Sequence, residues 1–146
     1  MGKNVTSAEN VVAHRVLMVV AAVAAAVAVA ASFSWALPCA GVLELANGNA
    51  VPMRCAWTQR AVVLLGAVLV CAAIGAAVTG KGGSWAVGLL AVAMIAVTFD
   101  TVAGIGVCKS EMACWTMAAW VRGCAAVALV AAAASAVAPL TRKQVR

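Results

Sequence analysis

Long apolar runs separated by short polar segments set the pattern of this chain. Positions 1–15 are polar, with Lys3, Asn4, Thr6, Ser7, Glu9, Asn10, His14 and Arg15. Val16 to Trp35 then carries no charge, and Pro38 ends the run. Twenty residues at a rise of about 1.5 Å match a hydrocarbon core of roughly 30 Å. Three further runs follow. The second goes from Ala61 to Val78, and the third goes from Trp85 to about Val107 with one charge, Asp100. The fourth goes from Met117 to Ala138 with one charge, Arg122. None alternates polar with apolar, and each is about twice the length a membrane strand needs. A helix satisfies its own backbone hydrogen bonds in lipid, so these runs read as helices.

The expected fold is therefore an all-α membrane domain with four transmembrane helices, about 16–36, 60–79, 85–107 and 117–138. The segments 37–59 and 108–116 would be its outer loops. Thr79-Gly80-Lys81-Gly82-Gly83-Ser84 is a tight turn that makes its flanking helices antiparallel neighbours. Gly66, Gly75, Gly88 and Gly104 offer close helix approach, or are simple apolar filler. A rival reading of the first run, a signal peptide cut after Ala28-Val29-Ala30, requires a shorter apolar core than the one present.

Composition agrees with lipid as the solvent. The 146 residues are 66% hydrophobic and 10% charged, against about 25% charged in soluble domains. The net charge of +6 is scattered between apolar runs, which excludes the basic stripe a nucleic-acid partner requires. Its distribution sets orientation. Lys3, Arg15, Lys81, Arg142, Lys143 and Arg146 fall on one side; Arg54 and Lys109 fall on the other, with Arg60 and Arg122 at or inside helix ends. Basic residues favour the cytoplasm, so both termini are expected there, in the cell membrane.

Two strings nearly repeat: Met53-Arg54-Cys55-Ala56-Trp57-Thr58 and Met112-Ala113-Cys114-Trp115-Thr116. Each precedes an inward helix and follows another cysteine, Cys39 or Cys108. The chain thus reads as two helical hairpins of the same orientation, related by an axis along the membrane normal.

Four cysteines, Cys39, Cys55, Cys108 and Cys114, fall in the outer loops, where an oxidising compartment lets disulfides persist. Three pairings are open. Pairing within each loop, Cys39 with Cys55 and Cys108 with Cys114, closes the shortest loops; pairing between loops is its rival. Two other chemistries share these residues. One is a quinone-linked thiol-disulfide oxidoreductase, for which the usual Cys-x-x-Cys is missing. The other is Cu(I) binding by the soft donors Met53, Cys55, Met112 and Cys114.

Cys71 and Cys124 read as apolar filler, and Trp57, Trp85, Trp115 and Trp120 as interfacial anchors. Asp100 and Arg122 lie equally far from Glu111 along the chain, so antiparallel helices bring them to similar depth. An ion pair between them is expected, with Arg60 as an alternative partner for Asp100. His14, the only histidine, is expected to be solvated at the inner interface. No nucleotide loop, His-Glu-x-x-His or nucleophile elbow is present. No catalytic residue, resident metal or cofactor is implied.

At the cysteine segments the sequence resembles an uncharacterised prokaryotic membrane family, domain of unknown function 4418. The matching residues are Met53-Arg54-Cys55-Ala56-Trp57-Thr58 with Ala61 and Gly66, then Gly106-Val107-Cys108 and Met112-Ala113-Cys114. The resemblance covers roughly 38–125. Ala56 stands where a histidine is expected in many members, which weakens a metal reading carried over from them. The resemblance implies a four-helix membrane protein found beside ABC-type permeases. Together these features point to a non-enzymatic accessory or structural component of a membrane complex.

Overall fold

The computed structural model describes residues 2–39, 41–80, 82–101, 104–108 and 113–144, with side chains in the terminal helices described over 9–138. Among these residues are four helices: α1 (Gly2–Ser34), α2 (Arg54–Thr79), α3 (Ser84–Val97) and α4 (Ala113–Gln144). A small antiparallel hairpin, β1 (Val42–Glu44) and β2 (Ala50–Pro52), stands between α1 and α2. It adds strand to a fold expected to be purely helical.

The helices form a closed ring. α1 packs on α2 and α4, and α3 packs on α2 and α4. Alanines, small enough for close packing, fill much of the centre: Ala21, Ala25 and Ala28 from α1, Ala73 from α2, Ala91 from α3, Ala125 and Ala128 from α4. Met18, Leu69, Met94 and Met117 supply the bulk between them. Gly66 sits where α2 meets α1, and a Cβ there would collide with Val29. Gly75 faces open space and Gly88 makes only ordinary contacts, so close approach rests on Gly66 alone of these three.

Three helices are long and apolar enough to cross a membrane. The third expected span is corrected by the structure. α3 ends at Val97 rather than 107, and its 14 residues reach only about 21 Å. The reason is local. Thr98 turns its hydroxyl back onto the Ile95 carbonyl (2.7 Å), competing with helix continuation. Phe99 N–H then bonds Ala96 O (3.1 Å), tightening the last turn. Gly106 N–H returns to Val97 O (3.1 Å), so the chain folds back over the helix end. Gly106 has φ +76°, and a Cβ there would come within 2.8 Å of the Asp100 backbone.

Other boundaries move too. α1 starts at Gly2 instead of 16, because the polar residues before Val16 contain no breaker after Gly2. α2 starts at Arg54 instead of 60. Pro52 ends the hairpin and Met53 is extended (φ −60°, ψ 156°), so the helix begins on the next residue.

Arg122 answers the early end of α3. Its Nε donates to Thr98 Oγ1 (2.8 Å) and its Nη2 to Thr98 O (3.1 Å), with its Cζ 4.0 Å from the Phe99 ring centroid. A cation at a helix C-terminus meets the negative end of the helix dipole and its unpaired carbonyls. The expected Asp100–Arg122 pair is therefore not formed. Asp100, lifted out of α3, pairs with Arg54 at 3.2 Å, where both side chains are largely exposed. Arg60 stacks on Trp57 instead (4.8 Å).

The two charged contacts should differ in weight. Arg122→Ala strips donors from a half-buried helix end and should cost about 1–3 kcal/mol. Arg54→Ala breaks an exposed pair and should cost at most about 1 kcal/mol. Thermal unfolding in detergent compares them; an equal or larger loss for Arg54→Ala would contradict this assignment.

Candidate thiol centre

Among the described residues, the bundle end that carries the hairpin is covered by 35–39 and 41–53, between α1 and α2, and by 98–101 and 104–108, between α3 and α4. Both segments must find partners for backbone groups that no helix satisfies. Part of that need is met within each segment, as where Met53 N–H bonds Gly41 O and Gly104 N–H bonds Thr101 O, and part by side chains near the starts of α2 and α4. Thr58, fully buried, donates to Gly106 O. The Trp115 indole donates to Cys108 O (2.9 Å). Gln59 Nε2 reaches Ser32 O near the end of α1 (2.7 Å).

The repeated string lies in these first turns rather than in loops. Cys55 is the second residue of α2 and Cys114 the second of α4, and both are fully buried. Met53 precedes α2, its side chain packed beside Gly41; Met112 lies outside the described residues, as do Lys109, Ser110 and Glu111. The copies differ in detail, since Thr58 is buried and Thr116 is exposed.

Four sulfurs converge beneath this cap. The Sγ atoms of Cys39, Cys108 and Cys114 all lie within 4.8 Å of one another. Cys108 Sγ is 3.9 Å from Cys55 Sγ, and Cys55 Sγ is 3.8 Å from the Cys39 carbonyl oxygen. All six cysteines are thiols in this structure. The expected pairing within each loop and its rival between loops both have geometric counterparts, because Cys114 lies within 4.8 Å of Cys108 as well as of Cys39, and Cys55 meets Cys108. The sequence did not reveal this convergence, since it said nothing of how the segments fold over one another. Cys71 is exposed on α2. Cys124 is half-buried and lines an apolar groove of about 400 Å³ with Val27, Trp120 and Val127.

The thiols are not equivalent. Burial pushes the Cys39 thiol up, but hydrogen bonds from the Cys114 backbone N–H and from the Cys114, Cys55 and Cys108 thiols outweigh it and hold Cys39 below its ordinary range. Cys108 is pushed up to about 12 by burial, by sharing its proton with Cys114 and Cys55, and by their charge. Thiolate is the reactive form, so Cys39 is a better nucleophile than Cys108.

At the opposite end, His14 is half-buried rather than fully solvated. Its Nε2 is shut from solvent with no hydrogen-bond partner among the described residues. It lines a cavity of about 370 Å³ with Asn10, Ser84 and Ser135. The Trp residues expected at interfaces, Trp57, Trp85, Trp115 and Trp120, are all exposed. Trp120 meets Trp35 edge-on at 5.6 Å.

The profile of a family described as Domain of unknown function (DUF4418) matches residues 17–138. No curated protein and no solved structure matches the chain.

Alkylation of the reduced protein at neutral pH, followed by peptide mass mapping, should modify Cys39 first and leave Cys108 as thiol. The preference over Cys108 should fade only as pH approaches about 12, where Cys108 ionises. Equal labelling of Cys39 and Cys108 at neutral pH would contradict the asymmetry.

Proposed function

The chain belongs to the DUF4418 family, defined by a domain of unknown function, and on that premise we propose an accessory role in the cell membrane. In this reading the protein is multi-pass and non-enzymatic, has both termini in the cytoplasm, and works through another membrane protein such as an ABC-type permease. The apolar helices are compatible with lipid contact. The basic residues of the termini and of the Gly-rich turn support the orientation, which puts the cap in the extracytoplasmic space.

The observation that carries an accessory role is the hairpin. Val42, Leu43, Leu45 and Val51 are 60%, 57%, 47% and 39% exposed. Among the described residues β1 pairs only with β2, so both strands have open edges there. Apolar side chains beside open strand edges are a ready surface for another chain. The short loop around Asn47 and Gly48 is closed by its own hydrogen bonds, which keeps the hairpin preformed.

Cys39 and Cys55 flank this hairpin, and the thiol centre ties its base to the second segment. In an oxidising compartment we expect the sulfurs to pair across segments, Cys55 with Cys108 and Cys39 with Cys114, because Cys55 and Cys108 already touch. Such links brace the cap between the two helical hairpins.

A second reading, a thiol-disulfide oxidoreductase passing electrons to a quinone, is favoured by the gathering of four thiols within exchange distance of one another. Its mark would be cycling thiols in a sample carrying quinone.

Two measurements test the accessory reading. Affinity purification from the native membrane should bring down a permease with the wild type. The double variant Leu43→Asp, Val51→Asp should lose it, at least tenfold, with helix content unchanged. A lone monomer from the wild type would contradict it. Non-reducing peptide mapping should recover Cys55–Cys108 and Cys39–Cys114 links; links confined to each segment would contradict the brace across segments.

A further inference from the structure

A disulfide joins sulfurs two at a time, yet here four crowd one spot. Three are mutually within 4.8 Å and the fourth is 3.9 Å from one of them. Around a tetrahedral ion with metal–sulfur bonds of about 2.3 Å, sulfurs stand about 3.8 Å apart. Three sulfurs stand within about 1 Å of that spacing, and Cys55 meets it toward Cys108.

The ligands come from four different places: before β1 (Cys39), the first turn of α2 (Cys55), the second segment (Cys108) and the first turn of α4 (Cys114). Two of them ride on helices, which fixes their separation before any ion arrives. Cys55 and Cys114 are fully buried, and Cys39 and Cys108 are half-buried. Hydrogen bonds hold the surrounding backbone: Thr58 to Gly106 O and Trp115 to Cys108 O. Groups that orient ligand-bearing backbone support a metal site in the same way as partners of the ligands themselves. No carboxylate joins the cluster among the described residues.

We propose that Cys39, Cys108 and Cys114, closed by Cys55, form a thiolate site for a thiophilic d10 cation, zinc(II) or copper(I). An all-thiolate set selects these ions over magnesium, calcium or manganese. The ligand set differs from the Met-x-Cys pairs that the repeat singles out. Its methionines give way to Cys39 and Cys108, because the two segments lie over one another.

The site rests on the reading that the centre holds the base of the hairpin, and it adds a switch to it. Metal and disulfides compete for the same sulfurs. The competing reaction joins the four thiolates in two S–S bonds and frees the cation. The four electrons go to two molecules of an external small-molecule disulfide, which take up four protons and leave as four thiols. The cap is thus closed by metal when reduced and by disulfides when oxidised.

The test uses full-length protein in lipid nanodiscs, reduced and freed of metal. Cobalt(II) serves as the spectroscopic stand-in for zinc(II). One equivalent should give thiolate-to-cobalt charge-transfer absorption and the intense visible bands of a tetrahedral site, both displaced by zinc(II). Cys108→Ser and Cys114→Ser should each lower affinity at least tenfold, while Cys71→Ser and Cys124→Ser should leave it unchanged. Cys55→Ser separates the ions. It should weaken zinc(II) at least tenfold, and leave copper(I), content with three sulfurs, within about twofold. Oxidising the wild type with glutathione disulfide should release the cation without any substitution, which guards against a variant that simply misfolds. No charge-transfer band from the reduced wild type, or equal affinity in the Cys108→Ser, Cys114→Ser double variant, would overturn the proposal. Neither result would touch permease co-purification, so the two readings fail separately.

Discussion

The cap end of this bundle depends on one constraint. Two irregular segments carry backbone polar groups that their own turns and hairpin satisfy only in part. Side chains near the starts of α2 and α4 take up others. Thr58 reaching Gly106, and Trp115 reaching Cys108, are the visible part of that arrangement. The meeting of Cys39, Cys55, Cys108 and Cys114 is its consequence, since each segment brings its own cysteines to the crossing point. The hairpin then projects from a base held on both sides.

The early end of α3 belongs to the same economy of polar groups. A helix running on to 107 would carry Asp100 within an apolar run. Stopping at Val97 moves Asp100 to the cap, beside Arg54, and leaves carbonyls exposed at the helix end. Arg122 covers them from α4. Two charges that look like each other's partners in sequence are thus each held by something else. Both solutions obey the rule that a charge in apolar surroundings is rarely left alone.

Much of the bundle was legible from apolar run lengths. The runs at 61–78 and 117–138, and the first run as far as 34, lie inside long helices, because unbroken apolar alanine and valine leave few other structures open in lipid. What the runs did not mark was where helices extend into polar sequence, as α1 does, or where a short hydroxyl residue such as Thr98 ends one early. The hairpin was hidden behind Asn47-Gly48, which reads as a turn in any loop. At the thiol centre, the residue types were legible and the grouping was not. Loop-closure entropy ranks pairs by separation along the chain, whereas the fold brings together sulfurs 53 positions apart. His14 shows the same gap at the other end, where sequence gave no sign of the cavity that shields it.

The account stands on the two segments meeting at their sulfurs. A variant keeping only Cys55 and Cys108, one from each side of the crossing, measures this directly. Mild oxidation in the native membrane should lock it into one intramolecular disulfide, at a rate at least tenfold above a variant keeping only Cys55 and Cys124. If the Cys55–Cys108 protein stays fully reduced, or links only between molecules, the segments do not lie over one another and the centre does not exist.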